Sequence, residues 1–194
     1  MNRDRWKNKT DAVVCSPANA RRWKADGNLH LVGVMGFSGA WRRSGLRGDV
    51  LRQYIDDIDT ILRAVLQQRR NTYQEWLVMC SGATNIGVPG KAYQICAELG
   101  ITTMGVTAAA AARYTLAPMQ RLVPVGRRFG DESHVFVDLC DEFVILGGGN
   151  QSDAETRAAH QARKPITVIQ GFGGAADQFT STTLPGAIFI RRGS

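Results

Sequence analysis

The chain of 194 residues lacks several features that would indicate its class directly. Its four cysteines are widely spaced, with no Cys-x-x-Cys pair and no histidine at metal-ligand spacing, so neither a zinc site nor a disulfide framework is predicted. No apolar run approaches the roughly 20 residues of a transmembrane helix, and the first residues show no secretory signal. We therefore expect a cytoplasmic protein with buried thiols, no metal, no cofactor and no membrane contact.

Acidic residues are also scarce, since 17 Asp and Glu stand against 24 Lys and Arg. Most of the basic residues are arginines, which favour bidentate contact with phosphate. The basic excess is strongest at the start, and we predict that residues 1–28 form a basic extension. Such a segment is typical of a solvated tail, while weak, non-specific nucleic-acid contact with stacking on Trp6 and Trp23 stays open.

Apolar runs alternate with segments of helical period along most of the chain. This alternation predicts one doubly wound α/β Rossmann-like domain over residues 29–194, with a mostly parallel sheet and helices on both faces. Residues 108–130 are irregular in composition and are predicted to form a loop over a site, and Asp49 is the expected N-cap of a long helix. Predicted strands lie at 29–36, 75–80, 101–107, 142–146, 166–171 and 187–191, and predicted helices at 50–68, 91–100, 133–140 and 153–163.

Two glycine turns, at 81–92 and 146–159, each follow an apolar run and open a helix. This geometry aims backbone N–H groups and the positive end of a helix dipole at an anion. Two such turns predict a ligand held from two sides, with phosphate and sugar as its chemistry. The first turn contains Lys91 and no carboxylate, so we expect it to bind phosphate; Asp153 and Glu155 suit the second turn to ribose hydroxyls.

Neither turn is a common nucleotide motif. A P-loop requires a glycine where this chain has Asn85, and a Ser or Thr hydroxyl where it has Ala92. The glycines at 33, 36 and 39 after the first strand do not have the spacing of a dinucleotide-binding fingerprint.

The same turns carry a resemblance to a known family. GATNIGVPG (82–90) resembles the GGGxxGLMG turn of the Lonely Guy phosphoribohydrolases, and GGGNQSDAE (147–155) resembles their PGGxGTxxE motif. The wider group is the SLOG superfamily of Rossmann-like domains, which includes DNA-binding DprA proteins. GFGGAADQF (171–179) is similar to the glycine turn after the fifth strand in carrier-type relatives. The resemblance implies binding of a nucleoside phosphate, ribose phosphate or ADP-ribose-like ligand, and we expect a homodimer or a higher homo-oligomer.

The chain departs from the hydrolases at one position above all. Nine residues before the aspartate that matches Asp141, the hydrolases carry a catalytic arginine, and this chain has Glu132. Arg127 and Arg128 lie four or five residues earlier, which is the wrong spacing. The resemblance therefore implies binding more than hydrolysis.

Two interpretations of the role of Glu155 are open. In the resemblance it matches the glutamate that engages the ribose and assists cleavage of the N-glycosidic bond. Together with Ser152 it also forms the sequence of a capping box, in which Ser152 caps the helix and Glu155 reaches back to the cap N–H. A capping box requires no ligand.

The sequence thus leaves three functions open. The first is a sensor, carrier or sequestering protein that binds a nucleotide or ribose phosphate. The alternatives are a phosphoribohydrolase acting on nucleoside 5′-monophosphates through Glu155 and Arg128, and a DprA-like nucleic-acid binder. Arg42 and Arg43 would clamp a phosphate, and the predicted ligand-binding residues are Ser38, Gly39, Gly82, Ala83, Thr84, Gly87, Thr107, Gly148, Gly149, Gln151, Ser152 and Glu155.

Overall fold

The structure is a computed structural model that describes residue 6, residues 8–39 and residues 45–193. Arg42 and Arg43 lie outside these described residues. Within them, no helix is both long and apolar enough to cross a membrane.

The described strands form one sheet in which every pairing is parallel. Their order across the sheet is β1-β5-β4-β3-β2-β6-β7-β8. This confirms the predicted doubly wound Rossmann-like α/β fold. The strands are β1 (Val13–Val14), β2 (His30–Gly36), β3 (Leu77–Ser81), β4 (Thr102–Thr107), β5 (Arg121–Pro124), β6 (Glu142–Leu146), β7 (Ile166–Gln170) and β8 (Ile188–Arg191).

Helices cover both faces of the sheet, as the apolar runs of its central strands require. One core cluster joins α2 and α3 to one face, and a second joins α1, α4 and α5 to the other. The helices are α1 (Pro17–Asp26), α2 (Gly48–Tyr73), α3 (Gly87–Leu99), α4 (Ser133–Leu139) and α5 (Asn150–Gln161), with short 3₁₀ turns at Gln74–Trp76, Ala109–Arg113 and Ala176–Gln178.

Strands β2 and β6 are hydrogen-bonded neighbours. Between them, the order in which successive strands join the sheet changes from one side to the other. After β2 the chain leads to α2 on one face, and after β6 it leads to α5 on the other face. Such a switch point opens a crevice at the carboxyl ends of the strands, which is where ligands bind in open α/β sheets.

Three predicted features differ in detail from the structure. Residues 108–130 are not irregular throughout, because they contain a 3₁₀ turn and β5, whose four residues include an arginine and a proline. The segment predicted as a basic extension contains β1 and α1, and Trp6 is 1% exposed in the core. Trp6 is therefore not available for stacking on nucleic acid. Asp49 lies in the first turn of α2 and is not its N-cap, which is Arg47.

Candidate functional site

A cavity of about 640 Å³ lies at the switch point, over the carboxyl ends of the strands. Its walls come from the segments that follow β2, β3, β4, β6 and β7, and from the loop before α4. The fold brings together here most of the predicted ligand-binding residues, namely Ser38, Gly39, Gly82, Ala83, Thr84, Thr107, Gly149, Gln151, Ser152 and Glu155.

Three predicted residues do not line the cavity. Gly87 has a φ of +59°, and a Cβ added there would lie 1.9 Å from the carbonyl oxygen of Phe37. Gly148 has a φ of +89°, and a Cβ added there would meet the Ser152 side chain. Both glycines therefore shape the turns. Arg128 is exposed on the surface, and its backbone N–H donates to the Asp131 carboxylate at 2.9 Å.

At the first glycine turn, a backbone hydrogen bond within the protein occupies a donor at the start of the helix. The N–H of Val88, in the first turn of α3, donates to the carbonyl of Phe37 at 2.8 Å. Lys91 does not face the cavity, because its ammonium pairs with Asp59 of α2 at 3.2 Å. The expectation that Lys91 contributes a positive field for phosphate is therefore wrong. Gly82 and Thr84 remain at the cavity wall.

The second glycine turn is open. Helix α5 begins at Asn150, its N-cap is Gly149, and no side chain caps it. Ser152 thus lies inside the helix, and the predicted capping box is wrong. The structure records no acceptor, within the residues that it describes, for the backbone N–H groups of Asn150, Gln151 and Ser152. The positive end of α5 therefore faces the cavity, as in anion-binding helix termini.

A third glycine turn, at residues 171–174, completes the cavity behind the second. The Asp177 carboxylate accepts the N–H groups of Gly171 at 2.7 Å and Gly173 at 2.8 Å. The N–H of Ala175 donates to the carbonyl of Gly148 at 3.0 Å, which joins the two turns. Gly173 lines the cavity. The resemblance pointed to this turn without identifying a residue in it.

Two carboxylates are buried in the cavity wall. Glu132 is 5% exposed and Glu155 is 7% exposed. The amide nitrogen of Gln151 lies 3.2 Å from Glu132 Oε1 and 2.9 Å from Glu155 Oε1, and the Ser133 hydroxyl donates to the same Glu155 oxygen at 2.6 Å. Burial raises the pKa of both carboxyl groups above the usual glutamate value. The sequence analysis noted Glu132 only because it stands where the resembled hydrolases have an arginine, and did not predict it as a cavity residue.

The cavity also has a guanidinium that the sequence analysis missed. Arg192 follows β8 and lines the cavity; its guanidinium lies 5.3 Å from the ring centroid of Phe172 and 5.6 Å from that of Tyr54. An ion pair with Asp57 of α2, at 2.6 Å, holds it there. The sequence feature that could have identified Arg192 is its position directly after the last predicted strand, because the carboxyl ends of parallel strands share one edge.

The fold is similar to several solved structures. One is the structural-genomics target TM1055, at 20% identity and a TM-score of 0.62 over 86% of this chain and 94% of that one. Another is the molybdenum cofactor carrier protein of Chlamydomonas reinhardtii, at 18% identity and a TM-score of 0.60 over 84% and 89%. A third is the molybdenum cofactor binding protein of the phototrophic bacterium Rippkaea orientalis, at 15% identity and a TM-score of 0.57 over 84% and 89%.

These likenesses establish the fold, and at that level they confirm the resemblance to Rossmann-like carrier-type relatives. No protein-family model matches the chain, and no curated protein matches it in sequence.

Proposed function

We propose that the protein binds a phosphate-bearing small molecule of the nucleotide or ribose-phosphate class and carries it without cleaving it. The observation on which this rests is the open first turn of α5. Its N–H groups have no acceptor among the described residues, and Gly149, Asn150 and Gln151 line the cavity. A phosphate at this second glycine turn, where ribose hydroxyls were expected from the sequence, accepts hydrogen bonds from these donors and meets the positive end of the helix dipole.

The charges of the cavity wall support a ligand with two different ends. Arg192 enters beside Tyr54 on the face covered by α2, whereas Glu132 enters from the loop before α4 and Glu155 enters from α5, on the opposite face. A guanidinium suits a further oxygen acceptor of the ligand, and carboxylates suit hydroxyl or N–H donors. A phosphorylated sugar or nucleoside presents both kinds of group.

A carrying role agrees with both the structure and the neighbours. Two of the similar structures are described as a molybdenum cofactor carrier and a molybdenum cofactor binding protein. The position at which the resembled hydrolases have a catalytic arginine is occupied by Glu132, a buried carboxylate. Hydrolysis would require a cation there to stabilise developing negative charge.

The test adds one charge at the start of α5. Asn150 is exposed and occupies the first position of that helix, so Asn150→Asp places a carboxylate where the phosphate is proposed to bind. Binding of AMP, GMP and ribose 5-phosphate, measured by calorimetry, should weaken at least about tenfold, which corresponds to ~1.4 kcal/mol. The stability of the fold should not fall, because an acidic residue in the first turn favours a helix.

The matched control is Asn19→Asp, which makes the same change in the first turn of α1, where Asn19 is exposed and does not line the cavity. This variant should bind each compound as wild type does. Unaltered affinity in Asn150→Asp would place the phosphate elsewhere. If none of the three compounds binds the wild-type protein, the proposed ligand class is wrong.

We further propose that the protein is a homodimer in the cytoplasm. The homodimer rests on the family resemblance, and exposed apolar residues such as Val50 and Trp76 offer surface for it. Four buried cysteines outside any disulfide agree with a reducing compartment.

A further inference from the structure

The carboxylate end of the cavity is preorganised before any ligand binds. The Asp131 carboxylate accepts the backbone N–H groups of Arg127 at 2.7 Å and Arg128 at 2.9 Å, which folds the loop before α4 into a tight turn. The N–H of Gly130 donates to Glu132 Oε2 at 2.9 Å. The Glu132 carboxylate is therefore held in one orientation at the cavity wall.

Glu132 and Glu155 each accept two hydrogen bonds, but the remaining acceptor directions are distributed differently over their oxygens. Glu155 Oε1 already accepts from the Ser133 hydroxyl and from the Gln151 amide. Among the residues that the structure describes, each oxygen of Glu132 has one donor, the Gln151 amide for Oε1 and the Gly130 N–H for Oε2. Because a carboxylate offers about four lone-pair directions, Glu132 retains one on each oxygen for a pair of parallel donors.

Within residue 6, residues 8–39 and residues 45–193, no cation balances the charge of these two carboxylates. Among the described residues, no lysine, arginine or histidine forms a salt bridge with Glu132 or Glu155. A buried carboxylate without a cation is costly unless hydrogen-bond donors satisfy it. The site is therefore suited to a ligand that brings N–H donors.

An aromatic surface lies on the same loop. Phe129 lines the cavity mouth and is 45% exposed, and its ring centroid is 6.0 Å from that of Tyr114, which is 43% exposed. Large aromatic side chains exposed beside a cavity provide a face on which a planar ring stacks.

We infer that Glu132 selects a planar ring with adjacent ring N–H and amino donors, the 2-amino-4-oxo edge found in guanine, while Phe129 stacks on its face. This inference rests on the proposed function, because the phosphate of the same ligand occupies the start of α5. Guanine donates two parallel hydrogen bonds to one carboxylate. Hypoxanthine lacks the amino donor, and adenine presents a ring nitrogen acceptor that opposes the carboxylate oxygens.

The experiment compares GMP, IMP and AMP by calorimetry on the wild-type protein. GMP should bind at least about tenfold more tightly than either of the others, since each lost charged hydrogen bond leaves the buried carboxylate unsatisfied. In Glu132→Gln the preference for GMP should disappear, while Glu98→Gln, at an exposed position of α3, should keep it. A thermal melt of each variant verifies its fold.

The same donor edge occurs in pterins, so neopterin, which has no phosphate, forms a second arm. It should compete with GMP in the wild type and not in Glu132→Gln. If neopterin binds more tightly than GMP, the selection by Glu132 is supported and the phosphate contact at the start of α5 is overturned.

The two proposals fail in different ways. Equal affinity for GMP, IMP and AMP in the wild type overturns the selection by Glu132 and leaves phosphate binding intact. Absence of binding by all three nucleotides and by ribose 5-phosphate overturns the proposed function itself. The wild-type comparison decides the matter even if Glu132→Gln does not fold.

Discussion

Glu132 and Glu155 face one cavity at a position where the resembled hydrolases combine a glutamate with an arginine. Burial raises the pKa of Glu155 above the usual glutamate value, which is the direction that a general acid requires. The second requirement, a cation for developing negative charge, is not met by Glu132. Arg127 and Arg128 are exposed on the surface, with their backbone N–H groups bonded to Asp131.

We therefore predict that the protein releases little or no free base from AMP or GMP. One preorganised cation or donor is commonly worth 10²–10³ in rate, or about 2.7–4 kcal/mol. Incubation with each nucleotide, followed by chromatography of the free base, measures this. Turnover at a rate typical of enzymes that is lost in Glu155→Gln would make the hydrolase alternative correct.

At the scale of elements, the start of α3 depends on the loop that follows β2. Gly87 opens α3 in the left-handed region, directly against the Phe37 carbonyl. We predict that Gly87→Ala destabilises the protein by at least about 2 kcal/mol, from backbone strain and the steric conflict together. A large residue at Gly87 would consequently be a poor probe of ligand binding.

Gly82 is the matched control in the same turn. A Cβ added there has no neighbour within 4 Å, and its φ is not positive. The free energy of unfolding of Gly82→Ala should stay within about 1 kcal/mol of wild type in urea titration. Equal stability of the two variants would show that Gly87 does not hold the turn.

At the scale of the whole molecule, the described part of the basic N-terminal segment, Trp6 and residues 8–28, contributes to the fold. Trp6 is buried in the core, Arg21 pairs with Asp138 at 2.7 Å, and Lys24 pairs with Asp141 at 2.5 Å. Trp23 lies beneath the guanidinium of Arg121, at 4.3 Å from its ring centroid. These contacts occupy side chains that the nucleic-acid hypothesis needs at the surface.

Deletion of residues 1–28 should therefore abolish cooperative thermal unfolding, because it removes β1, α1 and a core tryptophan. Trp6→Ala alone should cost about 3–5 kcal/mol of stability. Circular dichroism melts measure both effects. A truncated protein that melts as the full chain does would show that the segment is a separable extension, and salt-sensitive nucleic-acid binding lost with it would favour the DprA-like hypothesis.

The sequence by itself determined the fold class and most of the cavity wall. Apolar runs such as β2 are long enough to identify a strand buried on both faces, and the glycines at 82 and 149 mark strand-turn-helix junctions whatever their surroundings. Parallel strands then bring their carboxyl ends to one edge, so residues far apart in the chain line one cavity. Short elements such as β1 carry too few residues for a pattern.

Only the tertiary structure decided how the wall is charged. Lys91 lies in a glycine turn, yet its ammonium pairs with Asp59 on α2 and does not face the cavity. Arg192 has no local motif, yet Asp57 and two aromatic rings hold it at the cavity. The directions of long charged side chains depend on partners from distant elements, and hydrogen bonds from such elements also determine whether a glutamate caps a helix or, like Glu155, joins a buried network.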